Sequence, residues 1–191
     1  MATATHPPRD PLASFSVPAL ITELTAVVGA DGVLHHRDEL VVYECDGYTI
    51  EKSVPDLVVF PTSTEQVSQI VKVCNRHQVP FVPRGAGTSL AGGTLAVGGG
   101  VMICLTRMKR ILEINVPERY AVVEAGVVNV WLTRALAGTG MHYAPDPSSQ
   151  TACTLGGNVG TNSGGPHTLK YGVTVNHVMG VTLVMPDGSI V

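Results

Sequence analysis

Residues 81–94 read FVPRGAGTSLAGGT, a short apolar run that leads into a glycine-rich loop. A second β-rich run, residues 57–60, lies upstream, and between the two runs apolar residues recur at helical spacing: Val67, Ile70, Val71 and Cys74. Pro80 ends this helix near residue 77, because proline lacks an N–H donor and clashes with the preceding turn. The pattern predicts a β-α-β unit with a right-handed crossover. The glycine-rich loop then leaves the carboxyl end of a strand, where ligands of such units bind.

The helix of this unit has a recognisable start. Thr62 and Ser63 carry hydroxyl groups, and Glu65 and Gln66 each follow one of them by three residues. This is the spacing of a capping box, in which side chains satisfy the first N–H groups of a helix.

The loop after Arg84 does not match either common phosphate-binding motif. Leu90 stands where the dinucleotide fingerprint needs its third glycine, and Gly93 stands where the P-loop needs its lysine. Glycines still allow positive φ and close approach, and Thr88 and Ser89 add hydroxyl donors, so the loop can form an anion-binding nest. A pyrophosphate is a natural guest for such a nest. A tight turn between two strands is the competing interpretation.

Glycine is concentrated in two segments. Seven glycines lie in residues 85–100 and six in residues 156–172, which makes 13 of the 21 in the chain. In the second segment small polar residues alternate with glycines and carry no charge: Thr154, Asn158, Thr161 and Asn162. We interpret this segment as a loop wrapped around a polar or anionic ligand, with a purely structural loop as the alternative.

The rest of the chain predicts a second layer. Residues 111–116 and 120–124 form two strands joined by a turn, residues 129–137 form a helix, and residues 178–185 form a strand that turns back at residues 189–191. Upstream, residues 18–28 form a helix after a loose tail that reaches about Asp10, and residues 33–53 form a loop with a short helix. A sheet that stops on a short apolar edge favours a piece of a longer protein, or one that needs a partner.

Composition excludes several functional classes. A net charge of −3 gives no electrostatic footprint for nucleic acid, and no run of 18 apolar residues could span a membrane. Only four charged residues occur between residues 125 and 191. The four cysteines form no CxxC pair and the histidines have no metal-ligand spacing, so we expect no metal site and a reducing, cytoplasmic location. His142, His167 and His177 are interpreted as packing residues or backbone hydrogen-bond partners.

An ordered series of motifs identifies a family. PRGAGTSLAGG at residues 83–93, YAPDPSS at 143–149, TLGGN at 154–158, NSGG at 162–165, KYG at 170–172 and PDG at 186–188 resemble the FAD-binding domain of the vanillyl-alcohol-oxidase and p-cresol-methylhydroxylase (PCMH) superfamily. Within it, the likeness is to the FAD-linked D subunit of bacterial glycolate oxidase and to D-lactate and D-2-hydroxyacid dehydrogenases. The segment YECDG at residues 43–47 also fits.

The resemblance implies an α+β, two-subdomain PCMH-type fold, incomplete at its C-terminus. We expect an N-terminal tail and helix over residues 1–32, a FAD-binding domain over 33–191 that divides near residue 110, and no C-terminal substrate-binding cap domain. FAD is expected to bind non-covalently, because Ala86 and Gly87 stand where some relatives carry an attachment histidine. The residues implied to hold it are Arg84, Gly85, Ala86, Gly87, Thr88, Ser89, Gly93, Pro145, Asp146, Ser148, Ser149, Thr154, Gly156, Gly157, Asn158 and Asn162.

The same resemblance implies an activity for the full-length parent. It is expected to be a flavin-dependent oxidoreductase that removes hydride from glycolate, D-lactate or a similar 2-hydroxy acid. Electrons would pass to partner subunits or a quinone-linked acceptor, with a cytoplasmic location that can be peripheral to the inner membrane. No catalytic residue is assigned, because the family places those residues in the cap. The alternative is a truncated FAD-domain remnant without activity of its own.

Overall fold

A four-stranded sheet forms the first half of the chain, in a computed structural model that describes residues 16–191. The predicted loose tail lies outside these residues. Three strands are parallel and the short first strand runs antiparallel to its neighbour. The strands are, in spatial order, β1 (Val33–Leu34), β2 (Leu57–Val59), β4 (Val101–Cys104) and β3 (Phe81–Arg84). The predicted β-α-β unit is present, and β4 lies between its two strands.

The two central strands are buried on both faces, as their unbroken apolar runs require. Leu57 and Val59 pack on one side with the helices, while Val58 packs on the other side with Leu40 and Phe60. This alternation follows from the two-residue period of a strand. The sheet therefore separates two apolar clusters.

Two helices cover one face of this sheet. Helix α1 (Val17–Val28) matches its prediction, and α3 (Thr64–Arg76) begins where the capping pattern placed it. Ser63 Oγ accepts a hydrogen bond from Gln66 N at 3.3 Å, and Gln66 Oε1 accepts one from Thr62 N at 2.7 Å. Between these helices the chain forms β1 and α2 (Arg37–Leu40). The expected loop over residues 33–53 therefore contains a strand as well, which two residues are too short to signal in sequence.

The second half of the described chain is built on a two-stranded antiparallel sheet. Strands β5 (Ile111–Asn115) and β6 (Tyr120–Val123) pair as predicted. Buried Val127, Leu132 and Leu155 pack against one face of this hairpin. They come from α4 (Asn129–Ala135), α5 (Leu155–Thr161) and the segment before α4, and a short helix α6 (Thr168–Tyr171) follows.

Two predictions for this half were wrong. Residues 154–165 do not form a continuous loop, because α5 occupies residues 155–161. Residues 178–185 do not form a continuous strand. The predicted return is limited to a short antiparallel pairing, in which Val184 bridges Ile190 and Leu183 exchanges backbone hydrogen bonds with Val191. Contacts with α3 also hold this turn, since Ser68 Oγ donates to the carbonyl of Gly188 at 2.5 Å and Asn75 Nδ2 donates to that of Pro186 at 2.8 Å.

Across residues 16–191 there is no helix with the length and apolar character needed to cross a bilayer.

Candidate functional site

The loop that follows β3 presents a row of free backbone donors. Within residues 16–191, no acceptor is bonded to the N–H groups of residues 86–90. Gly87 and Gly92 adopt positive φ values of 70° and 69°, which glycine accepts without steric cost. Unsatisfied N–H groups clustered on a turning backbone form the concavity in which an anion is bound.

Arg84 places a positive charge at the base of this loop. Its side chain is buried, its Nη1 donates to Thr94 Oγ1 at 3.2 Å, and its guanidinium lies 5.7 Å from the centre of the Tyr43 ring. A side chain at Gly87 would collide with this guanidinium, so the two are in contact. No carboxylate of the described residues forms an ion pair with Arg84. A buried cation without an anion suits a site that takes an anionic ligand.

The two glycine-rich segments meet at Gly85. A side chain at this position would overlap Thr154 Oγ1 and would lie 3.6 Å from the Cα of Gly157. Thr154 is the N-cap of α5, and its hydroxyl oxygen accepts a hydrogen bond from Gly157 N at 3.3 Å. The close approach therefore joins the loop after β3 to the start of α5.

Helix α5 does not offer its first N–H groups to a ligand. The N–H groups of Leu155 and Gly156 donate to the carbonyls of Val127 and Ala125, both at 2.8 Å, and that of Asn158 donates to the Thr154 carbonyl. The expectation that this backbone hydrogen-bonds a ligand directly is therefore not met at these positions. Glycine serves packing here instead, since a side chain at Gly156 would approach Ala125 Cβ to 2.7 Å.

The side-chain amide nitrogen of Asn158, in α5, is a buried donor without a partner. The residue is 2% exposed, and its Nδ2 is the one buried side-chain nitrogen or oxygen in residues 16–191 without a hydrogen bond. A buried amide without a partner is costly, so such groups point to a missing partner such as a ligand.

The predicted loop 145–149 is fixed by one buried contact and one exposed contact. The carbonyl of Pro145 accepts a hydrogen bond from buried Asn129 Nδ2 at 3.0 Å. Asp146 Oδ2 is paired with His167 Nδ1 at 2.5 Å, and the Asp146 carboxylate lies directly against Gly165. Burial raises the pKa of Asp146, but hydrogen bonds from the His167 side chain and backbone outweigh it and hold the pKa below its usual value. His167 is therefore a side-chain partner of this loop, which its sequence context did not reveal.

The remaining predicted residues are more exposed. Ser148 and Asn162 are exposed and Ser149 is half-buried. Asn162 ends α5 in the left-handed conformation, and its Oδ1 accepts a hydrogen bond from Val175 N at 3.0 Å. Gly93 has open space where its side chain would be.

The segment 43–47 contacts the loop after β3, a role that was not predicted from the sequence. Asp46 is buried, and its carboxylate accepts hydrogen bonds from Tyr48 N at 2.8 Å and Gly92 N at 3.0 Å. Gly47 lies against the carbonyl oxygens of Thr88 and Ser89. The motif at residues 43–47 was the available signal, but its contact with a loop 46 residues later is visible only in the structure.

Comparison with known proteins assigns this geometry to a family. The model of a family described as FAD binding domain matches residues 55–191, which include the loop after β3 and all of α5. The chain belongs to this FAD-binding domain family.

The chain is similar to glycolate oxidase subunits and to a D-lactate dehydrogenase. It is 47% identical over 157 residues to glycolate oxidase subunit GlcD of Escherichia coli K12, covering 82% of this chain and 32% of that protein. It is 42% identical over 169 residues to GlcD of Bacillus subtilis, covering 88% and 36%. It is 41% identical over 155 residues to D-lactate dehydrogenase of Anaerostipes hadrus, covering 81% and 31%. The chain spans about a third of the length of these curated relatives.

Solved structures confirm the fold of the FAD-binding domain. An alkyldihydroxyacetonephosphate synthase superimposes with a TM-score of 0.80 at 25% identity, covering 91% of this chain and 34% of that one. A p-cresol methylhydroxylase with substrate bound superimposes with a TM-score of 0.77, also at 25% identity and the same coverage. The predicted α+β, PCMH-type fold is therefore confirmed, as is FAD as the cofactor of the family.

Proposed function

We propose that this chain binds FAD non-covalently. Its pyrophosphate would lie on the loop at residues 84–94, here called the anion-binding loop. The observation that carries the proposal is the row of free N–H groups at residues 86–90 above a buried, unpaired arginine. These groups supply donors and one positive charge, which match the oxygens and negative charge of a pyrophosphate. The loop has no histidine, which is compatible with a non-covalent mode.

The remainder of the cofactor is proposed to lie along the start of α5 and the loop 145–149. Asn158 Nδ2 supports this placement, because it is a buried donor without a partner. The contact of Gly85 with Thr154 also supports it, because it brings α5 to the edge of the anion-binding loop. Residues 145–149 are held in place by Asn129 and by the pair of Asp146 with His167.

For the longer protein we propose oxidation of a 2-hydroxy acid such as glycolate or D-lactate. When bound, FAD supplies the hydride acceptor for the α-carbon of such a substrate, and the protein supplies its position and electrostatic surroundings. Sequence identity of 41–47% to GlcD and D-lactate dehydrogenase supports this activity. Transfer of the electrons to partner subunits or a quinone-linked acceptor, in the cytoplasm or at the inner membrane surface, belongs to the same proposal.

The test uses the 191-residue chain itself. The purified protein is incubated with FAD and desalted, and flavin absorbance is recorded, with bound and free flavin separated by fluorescence polarisation. Retained flavin at about one equivalent is the expected result, and a colourless protein that does not take up FAD would contradict the proposed site.

A second step separates a FAD binder from an enzyme. Glycolate or D-lactate is added anaerobically to the loaded protein, and the oxidised flavin band is followed. Bleaching would assign substrate oxidation to this chain alone. Retained FAD without bleaching would assign cofactor binding to this chain and leave oxidation to the longer protein.

A further inference from the structure

The segment 43–47, here called the brace, contacts the anion-binding loop from the side opposite to its free donors. Asp46 is 5% exposed, and each of its two carboxylate oxygens accepts one backbone hydrogen bond. One comes from Tyr48 N within the same turn, and the other comes from Gly92 N in the loop. A buried carboxylate is thus tied directly to the loop's backbone.

Gly47 determines which way the loop's peptide groups face. A side chain built at Gly47 would lie 2.8 Å from the carbonyl oxygen of Ser89 and 3.1 Å from that of Thr88. These oxygens are among its nearest neighbours, so both carbonyls face the brace. In a trans peptide the N–H points opposite to the C=O of the preceding residue. The N–H groups of Ser89 and Leu90 therefore face away from the brace, toward the free side of the loop.

Tyr43 adds a third contact at the other end of the loop. Its ring lies 5.7 Å from the Arg84 guanidinium and 6.0 Å from the Phe60 ring. The brace thus touches both the arginine at the base of the loop and the glycine at its far side. It precedes residues 55–191, the part of the chain that the family model matches.

We propose that Asp46 and Gly47 are positioning residues of the anion site, which hold the N–H groups of the loop in the direction that binds pyrophosphate. This inference rests on the proposed FAD site. Asp46 does not touch the ligand in this arrangement. It acts through Gly92, and Gly47 acts through the carbonyls of Thr88 and Ser89.

Removal of the charge of Asp46 gives a test, because the two possible roles of this charge change ligand affinity in opposite directions. A carboxylate near an anion site repels the anion, so removal of its charge alone would tighten binding. Asn has one acceptor oxygen, and its NH₂ would oppose the second backbone N–H. If Asp46 positions the loop, Asp46→Asn weakens the binding of ADP and FAD about tenfold.

The matched control is Asp56→Asn. Asp56 Oδ2 accepts a hydrogen bond from Gly100 N at 2.6 Å, so it also ties a glycine N–H to a carboxylate, but outside residues 84–94 and directly before β4. Both substitutions are expected to lower the melting temperature, but only Asp46→Asn is expected to weaken the binding of ADP and FAD. A second pair, Gly47→Ala and Gly180→Ala, covers the case in which Asp46→Asn does not fold. The Cβ at Gly180 has no atom within 4 Å, and the one at Gly47 displaces the Ser89 carbonyl.

Dissociation constants are measured by calorimetry with ADP and by flavin fluorescence with FAD, at a temperature where circular dichroism shows every variant folded. ADP carries the pyrophosphate without the flavin, so its affinity reports on the loop. Wild-type protein that binds FAD, together with unchanged or tighter ADP and FAD binding in both brace variants, would overturn this inference alone. Wild-type protein that does not bind FAD would contradict the proposed function and, with it, the role of the brace.

Discussion

Gly85 shows how one missing side chain allows two distant parts of the sequence to meet. The hydroxyl of Thr154 occupies the space in which a Cβ at residue 85 would lie. Thr154 cannot move freely, because the same oxygen caps α5. The contact therefore couples the loop after β3 to the helix.

We predict that Gly85→Val lowers the free energy of unfolding by about 1–3 kcal/mol, the usual cost of overpacking. It should also weaken FAD binding, because the loop must move away from α5. Urea unfolding and fluorescence titration measure the two effects. Gly180→Val is the control, since its Cβ meets no atom within 4 Å, and an equal loss in both variants would contradict the packing argument.

The environment of Glu124 leads to a prediction about how the stability of the fold depends on pH. Its carboxylate is 8% exposed and accepts hydrogen bonds from Arg110 N at 2.7 Å and from the Arg110 side chain at 2.7 and 3.0 Å. The hydrogen bonds from the Arg110 side chain are the main cause that lowers the pKa of Glu124, against the opposing effect of burial.

Because the folded-state pKa is lowered, the charged carboxylate stabilises the fold above its ordinary pKa of 4.5, and this stability is lost as the pH falls through the folded value. Glu124→Gln should therefore cost about 1–2 kcal/mol at pH 7. The difference between the two proteins should shrink below pH 4.5. Urea unfolding at several pH values measures it, and a difference that grows at low pH would contradict the assignment.

Among the elements, α5 is the one that local propensity argues against. Three of its seven residues are glycines, each about 1 kcal/mol less favourable than alanine in a helix. The helix forms because Thr154 caps it, because Leu155 is buried against Val127, and because Gly156 lets it approach Ala125. Tertiary packing therefore overrides propensity here, whereas α3 has both an apolar stripe and a cap and was predictable from its sequence.

We predict that Thr154→Val lowers the free energy of unfolding by about 1 kcal/mol through loss of the N-cap. Thr154→Ser keeps the hydroxyl and should retain most of the stability. Chemical denaturation measures both variants. The same result for valine and serine would show that the methyl contacts of Thr154, and not its cap, hold the start of α5.

At the scale of the whole molecule, the proposed site depends on three separate parts of the chain. The brace contacts the loop after β3 through Gly92, and this loop contacts the start of α5 through Gly85. A ligand that binds such a site only in the folded protein stabilises the entire fold by mass action.

We predict that FAD at about a hundredfold excess over its dissociation constant raises the melting temperature by about 5–10 °C. Differential scanning fluorimetry with a dye outside the flavin bands, or calorimetry, measures the change. Riboflavin, which lacks the pyrophosphate, is the control and should give a much smaller shift. An equal shift with both ligands would place the main binding energy outside the anion-binding loop.

The sequence by itself determined the features that depend on interactions between residues close together in the chain. The cap and stripe of α3, the apolar strands β2 to β4 and the β5–β6 hairpin were all predicted, since period and turn chemistry are local properties. The glycine loop was predicted as an anion nest, with a tight turn as the alternative, and this stays a prediction. The ordered motifs identified the FAD-binding family.

Only the tertiary structure decided how the site is assembled. It showed that residues 155–161 are helical, that Gly85 lies against Thr154, that Asp146 pairs with His167, and that Asp46 reaches Gly92. Each of these features depends on contacts between segments far apart in the chain. The free energy of such contacts cannot be predicted from a local sequence pattern. The physical reason is that a glycine, which has no Cβ, allows another residue to approach closely. Only the tertiary structure determines which residue does so.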